Sequence, residues 1–69
     1  MTQDEKRALI NSYRAKGKMH MPPTDAAKIL ECVPYSLNVA AMAHRMPPGS
    51  CFWAGRNLRI NLRYLEAFV

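Results

Sequence analysis

Three arginines in the C-terminal half of this chain have the residue type and the spacing to bind phosphate groups. Arg56 directly follows Gly55, Arg59 lies three residues further on, and Arg45 lies upstream. A guanidinium group presents planar N–H donors that match the geometry of phosphate oxygens. Ten Lys and Arg against five Asp and Glu give a net charge of +5, which suits a polyanionic partner. The charged residues therefore favour a binding protein.

Residues of other chemically active types lack a suitable spacing. The zinc-ligand types are spaced by 12, 12 and 7 residues, without a short ligand pair, at His20, Cys32, His44 and Cys51. No Gly-rich phosphate loop and no Ser/His/Asp set occurs, and Asp4-Glu5 lies too near the chain start for paired acid-base work. We predict no metal, no cofactor and no enzymatic activity. The two cysteines are expected to be reduced, because disulfide frameworks are typical of small secreted domains.

The first residues have neither a basic region nor an apolar stretch typical of a secretion signal. No apolar run approaches the roughly 20 residues that a membrane span requires. We therefore expect a cytoplasmic protein without a membrane partner. Its 69 residues predict one small domain with a thin core.

A β-hairpin is predicted to position Arg56 and Arg59. Residues 50–53 and 57–60 are short aromatic and branched runs, and the loop Ala54-Gly55-Arg56 between them has the length of a hairpin connection. We expect Trp53 to pair with Asn57, so that alternate side chains share one face. The inward residues are then Phe52, Leu58 and Ile60, with Ile60 buried. The outward residues are then Cys51, Trp53, Asn57 and Arg59.

Four helices are predicted around this hairpin, over residues 2–16, 24–31, 34–45 and 61–68. The first has a capping box at Thr2 and Glu5 and ends at Gly17. Its apolar face contains Leu9, Ile10 and Tyr13. We interpret this helix as an extra element that covers the core or meets a second subunit. Its basic end, with Arg14, Lys16 and Lys18, is either solvated, which we favour, or in contact with phosphates.

The other three helices have their own start signals. Residues 18–23 should be extended because of two prolines, after which Thr24 is the predicted N-cap of the second helix. Pro34 suits the first turn of the third helix and Asn61 the N-cap of the fourth. The predicted apolar stripe of the third helix is Leu37, Ala40, Ala41 and His44. That of the fourth is Leu62, Leu65 and Phe68.

The predicted fold is mainly α with a small β-hairpin, an N-terminal helix at 1–17 followed by a winged helix-turn-helix at 24–68. Residues 24–68 resemble the excisionase-type, MerR-like DNA-binding proteins of phages and mobile elements. The similar segments are Thr24-x-Ala26-Ala27-x-x-Leu30, Met46-Pro47-Pro48-Gly49, Gly55-Arg56-x-x-Arg59-Ile60 and Leu65-Glu66-Ala67-Phe68.

The resemblance implies a protein that does no bond chemistry. Excisionases bind repeated sites on double-stranded DNA, bend the DNA and bias an integrase toward excision. It implies that the third helix enters the major groove while the wing lies on phosphates or the adjacent minor groove. An integrase or a host protein is then an expected partner, with self-association on DNA, inside a bacterial host cell. The role could be that of an excisionase or of a transcriptional regulator.

The chain also departs from the pattern of this family. The turn between the two central helices is Glu31-Cys32-Val33-Pro34, Trp53 stands at a wing position that is often basic, and Tyr64 replaces a common acidic residue. The third helix has no Lys or Arg before Arg45, so it lacks a guanine-reading arginine. The candidate DNA-binding residues are Tyr35, Ser36, Asn38, Arg45, Trp53, Arg56 and Arg59. Whether Ser36 and Asn38 contact DNA or only form an exposed face stays open.

A second hypothesis is a protein-binding module on the same fold. An uncharged third helix and an outward Trp53 favour it, because aromatic side chains concentrate binding energy at protein interfaces. A phage-encoded inhibitor of a host nucleic-acid machine would be an example.

Overall fold

A computed structural model describes all 69 residues. The fold is mainly helical, with a three-stranded antiparallel sheet in the order β1-β3-β2. The elements follow the chain as α1 (Gln3–Ala15), β1 (His20–Met21), α2 (Pro23–Leu30), α3 (Pro34–Met42), β2 (Cys51–Ala54), β3 (Asn57–Asn61) and α4 (Leu62–Glu66). None of the four helices is both long and apolar enough to cross a membrane.

Helix α1 begins and ends as predicted. The Thr2 hydroxyl accepts from the Glu5 N–H, and the Thr2 N–H donates to the Glu5 carboxylate, which lowers the pKa of Glu5. At the other end Gly17 adopts the left-handed region with φ 76°. Ile10 is buried, and both Leu9 and Tyr13 pack against the core. Ion pairing of Arg14 with Glu66 joins α1 to α4.

Strand β1 was not predicted, although its segment was expected to be extended. His20 pairs with Asn61 and Met21 pairs with Ile60, so β3 becomes the central strand. Ile60 is fully buried, as predicted, between Met21 on one side and Cys51 on the other. A strand of two residues has too short a pattern to be read from sequence, and it forms here only because β3 offers a free edge.

The predicted hairpin register was wrong by one residue. Ala54 pairs with Asn57, which leaves a two-residue loop with Gly55 at φ 65°, and Trp53 pairs with Leu58. Glycine at the first position of a two-residue loop suits a II′ turn. Because a one-residue shift moves every side chain of a strand to the other face, the assignments on β2 are reversed. Phe52 lies on the outer side, whereas Cys51 and Trp53 lie on the side of Leu58 and Ile60.

Helix α2 starts earlier than predicted. Its N-cap is Pro22 rather than Thr24, and no side chain caps it. Two prolines in sequence fix an extended residue followed by a helical first turn, so the backbone enters the helix before Thr24. The helix ends at Leu30, and Glu31 adopts a left-handed conformation with φ 57°. The carboxylate of Glu31 lies 3.2 Å from the ammonium of Lys6, a buried lysine on α1.

Helix α3 begins at Pro34 as predicted but ends at Met42, three residues before the predicted end. His44 adopts φ 56°, and the N–H groups of His44 and Arg45 donate to the carbonyls of Ala41 and Ala40. This is the Schellman pattern, which closes a helix. His44 is therefore exposed and outside the apolar stripe, of which Leu37 and Ala41 are buried.

Helix α4 has the predicted N-cap, since the Asn61 side chain accepts from the Arg63 N–H. The helix ends at Glu66, and Phe68 is 43% exposed instead of facing the hairpin. The fold buries one apolar core between the helices and the inner side of the sheet, formed by Ile10, Met21, Ala26, Ala27, Ile29, Leu37, Ala41, Leu58, Ile60, Leu62 and Leu65.

Candidate nucleic-acid interface

A concave surface lies between the hairpin loop and the first turns of α2 and α3. We call it the hairpin cleft, and its polar and charged lining is Thr24, Asn38, Arg56, Asn57 and Arg59. Pro23 and Pro34, the first residues of α2 and α3, line it as well. The cleft therefore brings two helix N-termini and two arginines to one place.

Both helix N-termini are suited to an anion. Neither α2 nor α3 has a side-chain cap, so N–H groups of their first turns have no capping side chain as a partner. The helix dipole adds partial positive charge at the same ends. The acidic residue in the first turn of α2, Asp25, accepts a hydrogen bond from Tyr13 and pairs with Lys28 at 3.5 Å. The hairpin cleft itself is lined by no carboxylate.

A second concave surface adjoins the first and shares Arg59 with it. We call it the sheet cleft, and it is lined by Tyr13, Lys16, Lys18, His20, Pro22 and Arg59. An Arg59 N–H donates to the Leu58 carbonyl over 3.2 Å, which holds the guanidinium close to β3. Lys16 lies over the Tyr13 ring, with 5.7 Å between Nζ and the ring centroid. The two clefts together form a basic surface without an acidic lining residue.

Tyr13 lines the sheet cleft and is half-buried. Burial raises the pKa of Tyr13 to about 12, and the hydrogen bond from its hydroxyl to the Asp25 carboxylate acts in the same direction. The positive charge of Arg59 acts against both effects and lowers the pKa. The Arg59 guanidinium is therefore close enough to the Tyr13 hydroxyl to affect its pKa.

The remaining charges are distributed unevenly. Three of the ten Lys and Arg side chains, on Lys6, Arg14 and Lys28, are in ion pairs. These pairs engage three of the five acidic residues, and Glu5 is held in the α1 cap. The cations outside ion pairs are Arg7, Lys16, Lys18, Arg45, Arg56, Arg59 and Arg63. Four of these seven line the two clefts, so the basic surface keeps most of its charge available.

Of the seven candidate site residues, the structure brings together Asn38, Arg56 and Arg59 in the hairpin cleft. Tyr35 and Ser36 are exposed on the first turn of α3 and do not line it. Arg45 lies beyond the end of α3 and shares no cleft with the other arginines. Trp53, predicted to point outward with Arg59, is 44% exposed in a groove whose other lining residues are Ala41, His44, Met46, Pro48, Cys51 and Phe52.

Helix α3 also exposes an apolar stripe. Tyr35, Val39 and Met42 lie at i, i+4 and i+7, and their exposed fractions are 75%, 38% and 71%. No residue between Pro34 and Met42 is charged. Large exposed apolar residues on one helix face are typical of a contact surface.

Several residues of the basic surface were not among the candidates. Lys16, Lys18 and His20 meet Arg59 only because β1 pairs with β3, and the side-chain pattern of a two-residue strand did not reveal that pairing. Phe52 was assigned to the core by the incorrect register. The available signal was the basic end of the first helix, for which contact of Lys16 and Lys18 with phosphates was the less favoured alternative.

No group of three or more His, Cys, Asp and Glu side chains is placed to hold a metal ion. Cys51 is half-buried, Cys32 is exposed, and neither forms a disulfide. Comparisons with protein-family models, with curated proteins and with solved structures find no match to this chain.

Proposed function

We propose that this protein binds double-stranded DNA as a small winged helix-turn-helix protein of the excisionase or regulator type. The observation that carries the proposal is the hairpin cleft, where Arg56 and Arg59 lie beside the N-terminal half of α3. A duplex that contacts the hairpin with its phosphates would meet α3 on the same side.

The proposed roles divide between the hairpin and α3. Arg56 and Arg59 contact phosphates, which set position and affinity without reading sequence. An α-helix with its side chains is about 10 to 12 Å in diameter and fits the major groove, which is about 12 Å wide, and the nine residues of α3 would extend about 13 Å along it. Asn38 and Ser36 are its candidate readers, since an Asn side chain can pair with both hydrogen-bonding groups of adenine. Bending of the site, self-association on it and an integrase partner belong to this proposal.

The α3 stripe supports a second candidate function. A protein partner would cover Tyr35, Val39 and Met42, and Trp53 lies at the C-terminal end of the same helix. The side chains of α3 carry no charge that would attract DNA, whereas aromatic and Met side chains are enriched at protein interfaces. In this case the protein would act by docking on another protein.

A titration of the full chain against a duplex with closed ends tests the first candidate. We expect binding of random sequence at about 50 mM salt that weakens steeply by about 200 mM, because contacts to phosphates release counterions. Absence of binding at the lower salt would remove the DNA-binding proposal. The paired variant Tyr35→Ala/Met42→Ala, measured in a pull-down with cell extract, would then test the protein-docking candidate.

A further inference from the structure

One side of the sheet carries no core residue. Met21, Leu58 and Ile60 point to the inner side and are buried. The register places His20, Phe52, Ala54, Asn57, Arg59 and Asn61 on the opposite side, where all of them are exposed or half-exposed. We call this side the outer face. A sheet face left open in this way presents its side chains directly to a ligand.

Phe52 is the large apolar side chain on the outer face. It is 47% exposed, pairs across the strands with Arg59, and packs against His20 with 5.0 Å between ring centroids at an angle of 87°. Perpendicular packing of two rings is a favoured aromatic geometry. It braces the Phe52 ring from one side and leaves about half of the side chain accessible to solvent.

The charges around the Phe52 ring indicate which kind of ligand could cover it. Arg59 lies directly opposite Phe52, and His20 and Arg59 line the sheet cleft together with Lys16 and Lys18. No carboxylate lines that cleft. An apolar partner alone would leave these cations without counter-charge. A ligand that combines flat aromatic rings with regularly spaced negative charges satisfies both the ring and the cations.

We propose that the outer face binds single-stranded nucleic acid, with an unpaired base stacked on Phe52 and the backbone phosphates on Arg59, Lys16 and Lys18. Aromatic rings on an open sheet, bordered by cations, are the means by which proteins hold unpaired bases. A base inside a duplex is already stacked on both sides and cannot use the Phe52 ring. This site is therefore additional to the proposed duplex site and does not depend on it, although Arg59 lies at the border of both.

The test compares two labelled ten-nucleotide strands with the full chain by fluorescence anisotropy at low salt. One strand is oligo-dT, and the other has the same backbone without bases. We expect oligo-dT to bind at least about fivefold tighter, because stacking of one base contributes about 5- to 150-fold in affinity. Equal affinity for the two strands, or no binding of oligo-dT, would overturn the proposal.

Variants then place the stacking site. Phe52→Ala should weaken oligo-dT binding by about 5- to 150-fold, and Phe52→Leu, which keeps apolar bulk without a ring, should weaken it similarly. The matched control is Phe68→Ala, because Phe68, just beyond the end of α4, is exposed to almost the same extent, 43%. An equal loss in Phe52→Ala and Phe68→Ala, with both variants folded by circular dichroism, would overturn the assignment to the outer face.

A duplex with closed ends separates this proposal from the proposed function. Phe52→Ala should leave duplex affinity within about twofold of the parent protein, whereas Arg56→Ala should lower it. Binding of oligo-dT without binding of the duplex would support the outer-face site and contradict the proposed function. Binding of the duplex without any preference for oligo-dT over the abasic strand would contradict the outer-face site and support the proposed function.

Discussion

Tyr13 connects the scaffold to the basic surface through a single hydroxyl. It donates a hydrogen bond from α1 to Asp25 on α2, and its ring lies below Lys16. The hydrogen bond satisfies the carboxylate at the start of α2, which does not line the hairpin cleft. The Tyr13 side chain thus links α1 to α2, and its hydroxyl is a hydrogen-bond partner for the Asp25 carboxylate near Arg59.

The stability that Tyr13 contributes should depend on pH at the alkaline end. Its pKa is raised from 10.0 to about 12 in the folded protein. The fold therefore favours the neutral phenol, so the stabilisation is complete below pH 10 and is lost as pH rises from 10 towards 12. Urea unfolding of the parent protein and of Tyr13→Phe should show a constant difference in unfolding free energy below about pH 10, which shrinks above it.

Tyr35→Phe is the matched control for this measurement. Tyr35 is 75% exposed and its hydroxyl makes no hydrogen bond to the protein. Tyr35→Phe should therefore follow the parent protein at every pH. A difference between the parent protein and Tyr13→Phe that stays constant up to pH 12 would contradict the account of the Tyr13–Asp25 pair.

At the scale of the elements, α3, like α2, is closed by a non-glycine residue in a left-handed backbone conformation. His44 closes it in the left-handed region at φ 56°, where a side chain with Cβ is strained and glycine is not. His44→Gly should therefore raise the unfolding free energy by about 0.5 to 1 kcal/mol, the relief of strain being partly offset by the greater freedom of glycine in the unfolded chain.

Ala43→Gly is the control, because Ala43 adopts an ordinary φ of −87° one residue earlier. Glycine there relieves no strain and should destabilise the protein by about 0.5 to 1 kcal/mol. Thermal unfolding of the two variants should move in opposite directions. A destabilised His44→Gly would show that the left-handed residue does not limit α3.

Element starts could be predicted from sequence where their signals are local. Thr2 with Glu5, Pro34 and Asn61 each mark a helix start through their own side chains, and all three are confirmed. The end of α3 could not be predicted, because His44 in a left-handed conformation lacks the glycine that usually announces it. The hairpin register could not be chosen either, since Ala54-Gly55-Arg56 fits a two-residue or a three-residue loop.

The candidate site was predictable to the extent that it rests on the hairpin. Arg56 and Arg59 follow from the loop and from the period of two along β3, and the structure places both in the hairpin cleft. Lys16, Lys18 and His20 could not be added, since they reach Arg59 through the pairing of β1 with β3. Contacts between elements that are distant in sequence depend on the whole fold, which local patterns do not contain.

At the scale of the whole molecule, the ion-paired charges lie apart from the cations of the two clefts. Lys6, Arg14 and Lys28 form ion pairs outside the two clefts, whereas the Lys and Arg side chains that line the clefts are in no ion pair. A compact body of 31 × 23 × 18 Å therefore presents one surface with concentrated positive charge. On this surface we expect phosphates to bind at the hairpin, with α3 placed to read the adjacent groove.

The central claim is that Arg56 and Arg59 bind DNA phosphates, and the salt dependence of duplex binding tests it most directly. The comparison uses Arg56→Ala/Arg59→Ala and, as a control with the same net charge, Arg7→Ala/Arg63→Ala, whose arginines lie outside both clefts. The affinity of each protein for a duplex with closed ends is measured over a range of salt concentrations. Loss of two phosphate contacts should make the slope of log K against log salt shallower by about two units for the first variant, with weaker binding to every sequence alike. If both variants keep the parent's affinity and slope, or if the two change equally, the hairpin cleft does not bind phosphates and the account is contradicted.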